Sequence, residues 1–170
     1  LDFTMADNGF GRGLPPEGDN GSKWDFQRPL LADPALAPAP EDIAAASAMA
    51  QDLLELRFST PLFRLGTAEA IAEKLTFPVS GTDQAHDGVI VMRIDDTAGA
   101  DVDPALDGLV VVFNASDESV AQELPGLTGA NLSLSPVQVD GADEVVKTST
   151  WDAGSGTLSV PARTVAVFVH

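Results

Sequence analysis

The sequence contains no cysteine and no tyrosine, and it has two histidines and two tryptophans among its 170 residues. Without cysteine, disulfides, thiolate nucleophiles and cysteine-ligated metal sites are excluded. His86 lies in a polar turn and His170 is the last residue, and two distant histidines fall short of the three or four ligands that zinc takes. A serine–histidine–aspartate triad would need one of them, and no Gly-x-Ser-x-Gly elbow is present to support it.

Basic residues are also scarce, with 9 Lys and Arg against 26 Asp and Glu and a formal net charge of −17. This balance excludes non-specific binding to nucleic acid and argues against anionic membrane surfaces. No apolar run approaches the ~20 residues that a membrane helix needs. We therefore expect no nucleic-acid partner and no membrane partner, and we interpret the acidity as a source of solubility.

Residues 1–40 are rich in turn-forming residues, with five glycines and six prolines. Proline lacks a backbone N–H and disfavours both helix interiors and central strands, so this segment is predicted to be an irregular loop. A disordered tail is the alternative, but disordered tails rarely hold so many large apolar side chains. An ordered, docked loop is therefore favoured. The sequence starts at Leu1 rather than Met, so either a signal was removed or, as we favour, it is a piece of a longer chain.

The remainder changes from helical to strand patterns. Apolar spacing predicts a helix over 40–58 and a second over 68–74, with Thr67 as its N-cap. Short β-branched runs separated by turn residues then predict an antiparallel β-sandwich. The runs are 75–79, 89–94, 109–113, 132–139, 145–150, 157–160 and 164–169. Two of them, 109–113 and 164–169, are apolar at nearly every position, which predicts central strands covered on both faces.

Carboxylates are so numerous that no pair is distinctive for general acid–base chemistry, and we assign no catalytic residue. Asp95, Asp96, Asp101 and Asp103 offer an alternative as a calcium site. Calcium needs six to eight oxygens in a fixed loop and no EF-hand pattern is present, so we assign no metal ligand.

Sugar binding is a second possibility, because sugar rings stack on aromatic side chains beside placed polar groups. Trp24 lies in the glycine-rich segment and Trp151 lies at a strand end. Each is weighed against a structural role as a half-buried anchor. A glucan-binding module without enzymatic activity would use one of them.

Several segments resemble the late part of type I pullulanases, the starch-debranching enzymes of the α-amylase superfamily. The most specific are DNGFGRGLPP at residues 7–16 with Asp19-Asn20 and Trp24, PLLA at 29–32, DIAAA at 42–46, and LLELR and STPLFRL within 53–65. The terminal segments VVVFN at 110–114, PVQ at 136–138 and PARTVAVFV at 161–169 agree as well.

This resemblance implies a mostly β fold in which an irregular loop and helix, looking like the end of a (β/α)8 barrel, precede a C-terminal antiparallel β-sandwich. Residues 1–65 would be the end of the catalytic barrel and residues 66–170 the sandwich domain. The parent would hydrolyse α-1,6-glucosidic bonds in branched α-glucans such as starch, glycogen and pullulan, and the fragment itself would be structural and non-catalytic. The alternative is an α-glucan-binding or barrel-packing accessory module without enzymatic activity. Its partners would be the upstream barrel of the same polypeptide and, through the parent, the α-glucan substrate.

The resemblance carries over no catalytic residue, because the family's catalytic Asp, Glu and second Asp lie on earlier barrel strands. Asp7, Asn8, Asn20 and Trp24 are expected substrate contacts, since they match the loop pattern. No cofactor is implied for the chain, although the parent enzyme could bind calcium. The compartment stays open, with a secreted or cell-surface bacterial protein favoured over a cytoplasmic one.

Overall fold

The computed structural model describes residues 4–170, so residues 1–3 of the predicted barrel-end segment lie outside the described residues. The chain forms two compact units, Leu1–Ala50 and Gln51–His170, and the division falls inside a long helix. The predicted boundary at residue 65, between a barrel end and a sandwich domain, stays a prediction.

The first unit is helical in much of the segment that was predicted to be irregular. It contains α1 (Glu17–Asn20), a 3-10 turn at Gly21–Lys23, α2 (Trp24–Ala32), a 3-10 turn at Pro34–Leu36 and the start of α3 (Pro40–Ser59). The prediction that proline disfavours helix throughout residues 1–40 is therefore wrong.

The prolines of this unit stand mostly where a helix tolerates them. Pro16 precedes α1, and Pro34 begins its 3-10 turn, where a missing N–H has no helical partner to lose. Pro29 lies inside α2 and gives up one backbone hydrogen bond. One turn apart on this helix, the Arg28 guanidinium lies 5.4 Å from the centroid of the Trp24 ring, which adds a cation–π contact to α2.

Both predicted downstream helices are present. α3 agrees with the predicted range 40–58 to within one residue. In α4 (Ala68–Lys74), the Thr67 hydroxyl accepts a hydrogen bond from the Ala70 N–H at 3.1 Å, which confirms the predicted N-cap. Within residues 4–170, no helix has the length and apolar content needed to cross a membrane.

The second unit contains two antiparallel sheets. Its strands are β1 (Leu75–Thr76), β2 (Val89–Asp95), β3 (Gly108–Asn114), β4 (Val120–Glu123), β5 (Ser133–Leu134), β6 (Thr150–Asp152), β7 (Thr157–Val160) and β8 (Thr164–Val169). The larger sheet has the order β1–β2–β3–β8–β5 and the smaller one β4–β7–β6. All of these pairings are antiparallel, which confirms the predicted class of antiparallel sheets with some helix.

One core fills the space between the two sheets. Val110, Val91 and Phe168 enter it from the larger sheet, and Leu158 and Val160 enter it from the smaller one. Each of these side chains is at most 2% exposed. The two sheets therefore form a sandwich around shared apolar side chains.

The strands β3 and β8 are buried on their second face as well. Leu109, Val111 and Val167 belong to a separate cluster, which Leu56 of α3 and Leu62 of the following 3-10 turn complete. Most side chains of both faces are thus removed from water, which explains why these two strands are apolar without alternation. The prediction of central strands covered on both sides is confirmed.

One row of this second face remains open in the described chain. Ile90, Phe113 and Val165 are direct cross-strand partners on β2, β3 and β8. Ile90 is 51% exposed and Phe113 is 38% exposed. We call these three residues the outer row, and it extends the apolar surface that Leu56 and Leu62 cover.

The predicted strand 132–139 is wrong beyond β5. The following helix α5 (Pro136–Asp140) starts at a proline, which has no N–H to donate to a ladder. Gln138 takes the place of further strand: its Nε2 donates to the Val165 carbonyl at 2.7 Å, and its Oε1 accepts from the Val167 N–H at 2.7 Å. A side-chain amide therefore completes this edge of β8.

Two other strand predictions also need correction, and one strand was missed. The range 145–150 contains a 3-10 turn at Val146–Thr148, whose start is held by the Asp143 carboxylate, and β6 begins at its last residue. The range 75–79 retains only its first two residues as strand. The strand β4 was not predicted, because its buried residue Gln122 is polar and hides the alternation.

Asn114 joins the end of β3 to two neighbouring loops. It is 2% exposed. Its Nδ2 donates to the backbone carbonyls of Glu118 at 2.8 Å, Pro161 at 2.8 Å and Val160 at 3.2 Å. Its Oδ1 accepts from the Ser116 N–H at 3.1 Å and from the Ser116 hydroxyl at 2.6 Å. One buried amide therefore holds the β3–β4 and β7–β8 connections together.

We expect Asn114→Ala to lower the free energy of unfolding by about 2–4 kcal/mol, because several buried backbone groups lose their partner at once. Urea unfolding followed by circular dichroism measures the loss. The matched control is Asn131→Ala, which truncates an exposed asparagine and should change stability by less than about 0.5 kcal/mol. Equal losses in both variants would contradict the assigned role of Asn114.

Candidate functional site

Asp7 and Asn8 shape two overlapping turns in the first unit. Asp7 Oδ1 accepts from the Gly9 N–H at 2.6 Å, and Asn8 Oδ1 accepts from the backbone N–H two residues on at 2.9 Å. Gly9 and Gly11 have φ of +78° and +76°, a region that favours glycine. A Cβ on Gly11 would lie 2.7 Å from the Leu31 carbonyl oxygen, so this turn packs closely on the end of α2.

Asn20 and Trp24 donate hydrogen bonds to the two proline carbonyls that precede α1. Asn20 Nδ2 donates to Pro16 O at 3.1 Å, and Trp24 Nε1 donates to Pro15 O at 3.0 Å. The indole is half-buried, and the Arg28 guanidinium lies over one of its faces. Trp24 therefore acts as an anchor for the segment, and the face under Arg28 is not free for a sugar ring.

Two arginines that sequence reasoning missed lie beside these residues. Arg12 pairs with Asp7, and Arg28 with the Trp24 ring. Both line a cavity of 280 Å³, whose other lining residues are Gly11, Gly13, Leu14, Leu31 and Ala32. Guanidinium groups offer several N–H donors in a planar fork, which suits a polar, oxygen-rich ligand. The Trp24–Arg28 spacing is that of helical neighbours, but it was overlooked because the segment was predicted to be a loop.

All four predicted substrate contacts lie in the first unit, and each already has a local hydrogen-bond partner. Asn8 is exposed, whereas Asp7, Asn20 and Trp24 are partly buried. Their hydrogen bonds shape the loop and leave Asn8 as the most accessible of the four. The amide and guanidinium groups of this segment can donate and accept hydrogen bonds to a ligand.

Asp96 and Asp103, two of the four acidic residues weighed as a calcium site, have other partners. Asp96 Oδ1 lies 2.8 Å from Lys74 Nζ, and Asp103 Oδ2 accepts from the Thr60 hydroxyl at 2.5 Å. Among the residues that the structure describes, no group of three or more His, Cys, Asp or Glu side chains could hold a metal ion. The calcium alternative therefore has no support in this part of the chain.

The Lys74–Asp96 pair is buried, with each side chain 1% exposed. Lys74 Nζ also donates to the Ala98 carbonyl at 2.5 Å, and Asp96 Oδ2 accepts from the N–H groups of Val102 at 3.1 Å and Asp103 at 2.7 Å. Burial alone would raise the pKa of Asp96, but the Lys74 hydrogen bond and these N–H groups outweigh it and hold that pKa below its ordinary value. The pair fastens the end of α4 to the β2–β3 connection.

The other residues considered in the sequence were Trp151 and the two histidines. Trp151 Nε1 donates to the Ala130 carbonyl at 2.8 Å, and its ring packs against the core between the sheets. Trp151 is therefore a half-buried anchor rather than a sugar platform. His86 and His170 are both exposed.

Comparison with known proteins places the chain in a family. Residues 5–170 match the family model described as alpha-1,6-glucosidases, pullulanase-type, C-terminal. The chain belongs to this pullulanase-type family. The predicted resemblance to the C-terminal portion of pullulanases is confirmed, as is the prediction of a β-rich C-terminal domain.

Two curated relatives match this pullulanase-type region throughout. Pullulanase 1, chloroplastic, from Arabidopsis thaliana is 42% identical over 175 residues, which cover 100% of the chain and 18% of the relative. Pullulanase from Klebsiella pneumoniae is 35% identical, covering 98% of the chain and 15% of the relative. The pullulanase-type region therefore spans less than a fifth of the length of these relatives.

Solved structures agree with this assignment. The crystal structure of PulA from Klebsiella oxytoca superposes with a TM-score of 0.83 at 34% identity, covering 99% of the chain and 16% of that protein. A maltotriose complex of PulA from Klebsiella pneumoniae gives a TM-score of 0.84 at 33% identity, covering 99% of the chain and 18% of that protein.

We expect Lys74→Met to destabilise the pullulanase-type region by about 3–5 kcal/mol, because it leaves the Asp96 carboxylate buried without its cation. Arg93→Met is the matched control: Arg93 pairs with Asp95 at 2.7 Å, but both side chains are about one-third exposed, so its loss should cost about 0–1 kcal/mol. Urea unfolding of both variants at neutral pH measures the difference. Similar losses would contradict a special role for the buried pair.

Acid should weaken the same contact. The pKa of Asp96 is lowered by folding, so its contribution to stability is complete above its unfolded pKa and is lost as the pH falls through the folded pKa. The unfolding midpoint of the unmodified chain should fall as the pH drops below about 4. In Lys74→Met this decrease should be smaller, because the cation that favours ionised Asp96 is gone.

Proposed function

We propose that this chain is the C-terminal portion of an enzyme that hydrolyses α-1,6-glucosidic bonds in branched α-glucans such as starch, glycogen or pullulan. Within that enzyme the region itself is structural and non-catalytic. The observation that carries the proposal is the coverage of the relatives: the match includes nearly the whole chain but 15–18% of each pullulanase. More than four-fifths of each relative, with room for a catalytic barrel, has no counterpart here.

The chemistry of the parent would reside in that upstream part. A retaining glycosidase uses one carboxylate as the nucleophile and a carboxylic acid as the acid–base group, about 5–5.5 Å apart on either side of the scissile bond. Two carboxylates that were considered as ligand contacts form ion pairs in the described chain: Asp96 with Lys74 and Asp7 with Arg12. Their ion pairs serve local structure, which supports a non-catalytic role.

An upstream barrel of the same polypeptide is the proposed partner of α3. This helix carries large apolar side chains that water reaches in the described chain: Leu53 is 52% exposed, Leu54 is 59% exposed and Phe58 is 62% exposed. Leu56 of the same helix is buried against the sheet. A helix with apolar side chains around most of its surface is usually enclosed in a larger protein. This supports residues 1–65 as the last loop and final helix of a barrel.

The outer row is a second surface that the upstream barrel would contact. Ile90 and Phe113 continue an apolar sheet face that is otherwise covered, and neither carries charge in a chain of net charge −17. Contiguous apolar surface of this kind marks an interface. We propose that the upstream part of the parent covers the outer row, and that the sandwich thereby stabilises the parent's catalytic domain.

Asp7, Asn8, Asn20 and Trp24 are proposed to lie near the α-glucan in the parent. Support comes from the turn that presents Asn8, from the two arginines beside it and from the maltotriose bound by the related PulA. Hydroxyl-rich ligands need several placed donors and acceptors, and this segment concentrates them. In this proposal the loop contributes contacts while the upstream carboxylates cleave the bond.

Residues 1–170 alone should release no reducing sugar from pullulan, because both catalytic carboxylates would be absent. The full-length parent is the positive control in the same assay. Hydrolysis by the chain alone would refute the non-catalytic role. Retention of the chain on a starch gel that Trp24→Ala abolishes, with Trp151→Ala unaffected, would instead favour an independent glucan-binding module.

The apolar surfaces should bind a hydrophobic dye in the isolated chain, and addition of the upstream polypeptide should remove this signal. Phe113→Ser should reduce dye binding by the isolated chain while weakening its association with the upstream polypeptide. Val145→Ser is the control, because Val145 is 51% exposed but belongs to no strand and directly precedes the 3-10 turn at Val146–Thr148. Unchanged dye fluorescence on adding the upstream polypeptide would contradict the docking proposal.

A further inference from the structure

Two copies of one tripeptide occur in different surroundings. Asp7-Asn8-Gly9 lies in the irregular turn before α1, and Asp19-Asn20-Gly21 lies at the junction of α1 with the next 3-10 turn. Asparagine followed by glycine is chemically labile, because the unhindered glycine nitrogen can attack the asparagine side chain. Identical local sequence gives the two sites the same intrinsic reactivity, so any difference between them must come from the fold.

At the first site the reacting groups are accessible and polarised. Asn8 Oδ1 accepts from the Phe10 N–H at 2.9 Å, which draws electrons from the side-chain carbonyl and stabilises a developing oxyanion there. The Gly9 nitrogen donates to Asp7 Oδ1 at 2.6 Å, so a carboxylate is in place to accept its proton. Asn8 is exposed, and the nearest atom to a Cβ built on Gly9 would be a flexible Arg12 carbon 3.9 Å away.

At the second site the same groups are held in other bonds. The Gly21 N–H donates to the Glu17 carbonyl within the helix. Asn20 Nδ2, the group that would leave, donates to the Pro16 carbonyl at 3.1 Å. A Cβ on Gly21 would lie 3.0 Å from Glu17 Cγ, so the surroundings of this nitrogen are crowded. Cyclisation here would require breaking both hydrogen bonds.

From this contrast we infer that Asn8 is a site of spontaneous deamidation and that Asn20 is protected from it. The Gly9 nitrogen forms a bond to Asn8 Cγ and passes its proton to Asp7. The Cγ–Nδ2 bond then breaks, and Nδ2 leaves as ammonia with the proton it needs. Water opens the resulting succinimide at either carbonyl, which leaves aspartate or isoaspartate at position 8. No oxidant or cofactor takes part.

The conversion places a second carboxylate beside Asp7, in a turn whose shape depends on the Asn8 hydrogen bond. Where isoaspartate forms, it also lengthens the backbone by one carbon in that turn. An aged molecule therefore differs from a fresh one in the segment proposed to approach substrate. The inference itself does not depend on that proposed function, because it concerns the chemistry of the loop alone.

Mass spectrometry of the aged full chain tests the inference, because trypsin cleaves after Arg12 and Lys23 and so separates the two sites into peptides 1–12 and 13–23. The chain is held folded at mildly alkaline pH and sampled over time. We expect the first peptide to gain the deamidation mass several times faster than the second, and an isoaspartyl methyltransferase to label it. Equal rates, or a faster second peptide, would overturn the inference.

A denatured sample is the control for intrinsic sequence effects. In concentrated urea both sites lose their hydrogen bonds, and the two rates should converge. A rate difference that persists in urea would show that sequence, and not the fold, determines reactivity. The role of Asp7 is tested with Asp7→Ala, which should slow deamidation of Asn8 in the folded chain and leave Asn20 as an internal standard. An unchanged or faster Asn8 rate would remove Asp7 from the mechanism.

Discussion

The burial of β3 and β8 on both faces is the constraint on which the second unit depends. Each fully buried valine or leucine contributes roughly 1.5–3 kcal/mol relative to exposure, so two strands of such residues need two separate covers. The small sheet supplies one cover through Leu158 and Val160. Leu56 and Leu62 supply the other, which makes the C-terminal end of α3 part of the core rather than a connection to it.

Much of the second unit and the helix α3 could be predicted from sequence, because these elements obey one pattern over many residues. The uniform apolar runs at 109–113 and 164–169 and the helix at 40–58 are examples. Prediction failed where the structural role of a single residue differs from the one that the neighbouring sequence pattern indicates. A proline within an apolar run begins α5, and the polar Gln122 faces inward from β4. Local propensity cannot anticipate such tertiary overrides.

The first unit was less predictable for a different reason. Prolines suggested a loop, but most stand at positions that cost a helix nothing, and the Trp24–Arg28 contact supports the helix that contains Pro29. The predicted contact residues were found in one unit, yet their hydrogen-bond partners are backbone groups that no side-chain pattern reveals. Arg28 became recognisable only once the helix α2 was known. Family resemblance, not periodicity, pointed to the segment.

The amide of Gln138 has a consequence for how the larger sheet meets other molecules. An open strand edge is a template for recruitment of further strands, and proteins guard such edges against runaway self-association. Along β8 the free donor and acceptor are occupied by a side chain rather than by another strand. A foreign strand would have to displace an amide that is bonded at both ends. Strand addition is thus blocked along the part of β8 that β5 leaves uncovered, at the place where a regular ladder would otherwise have continued.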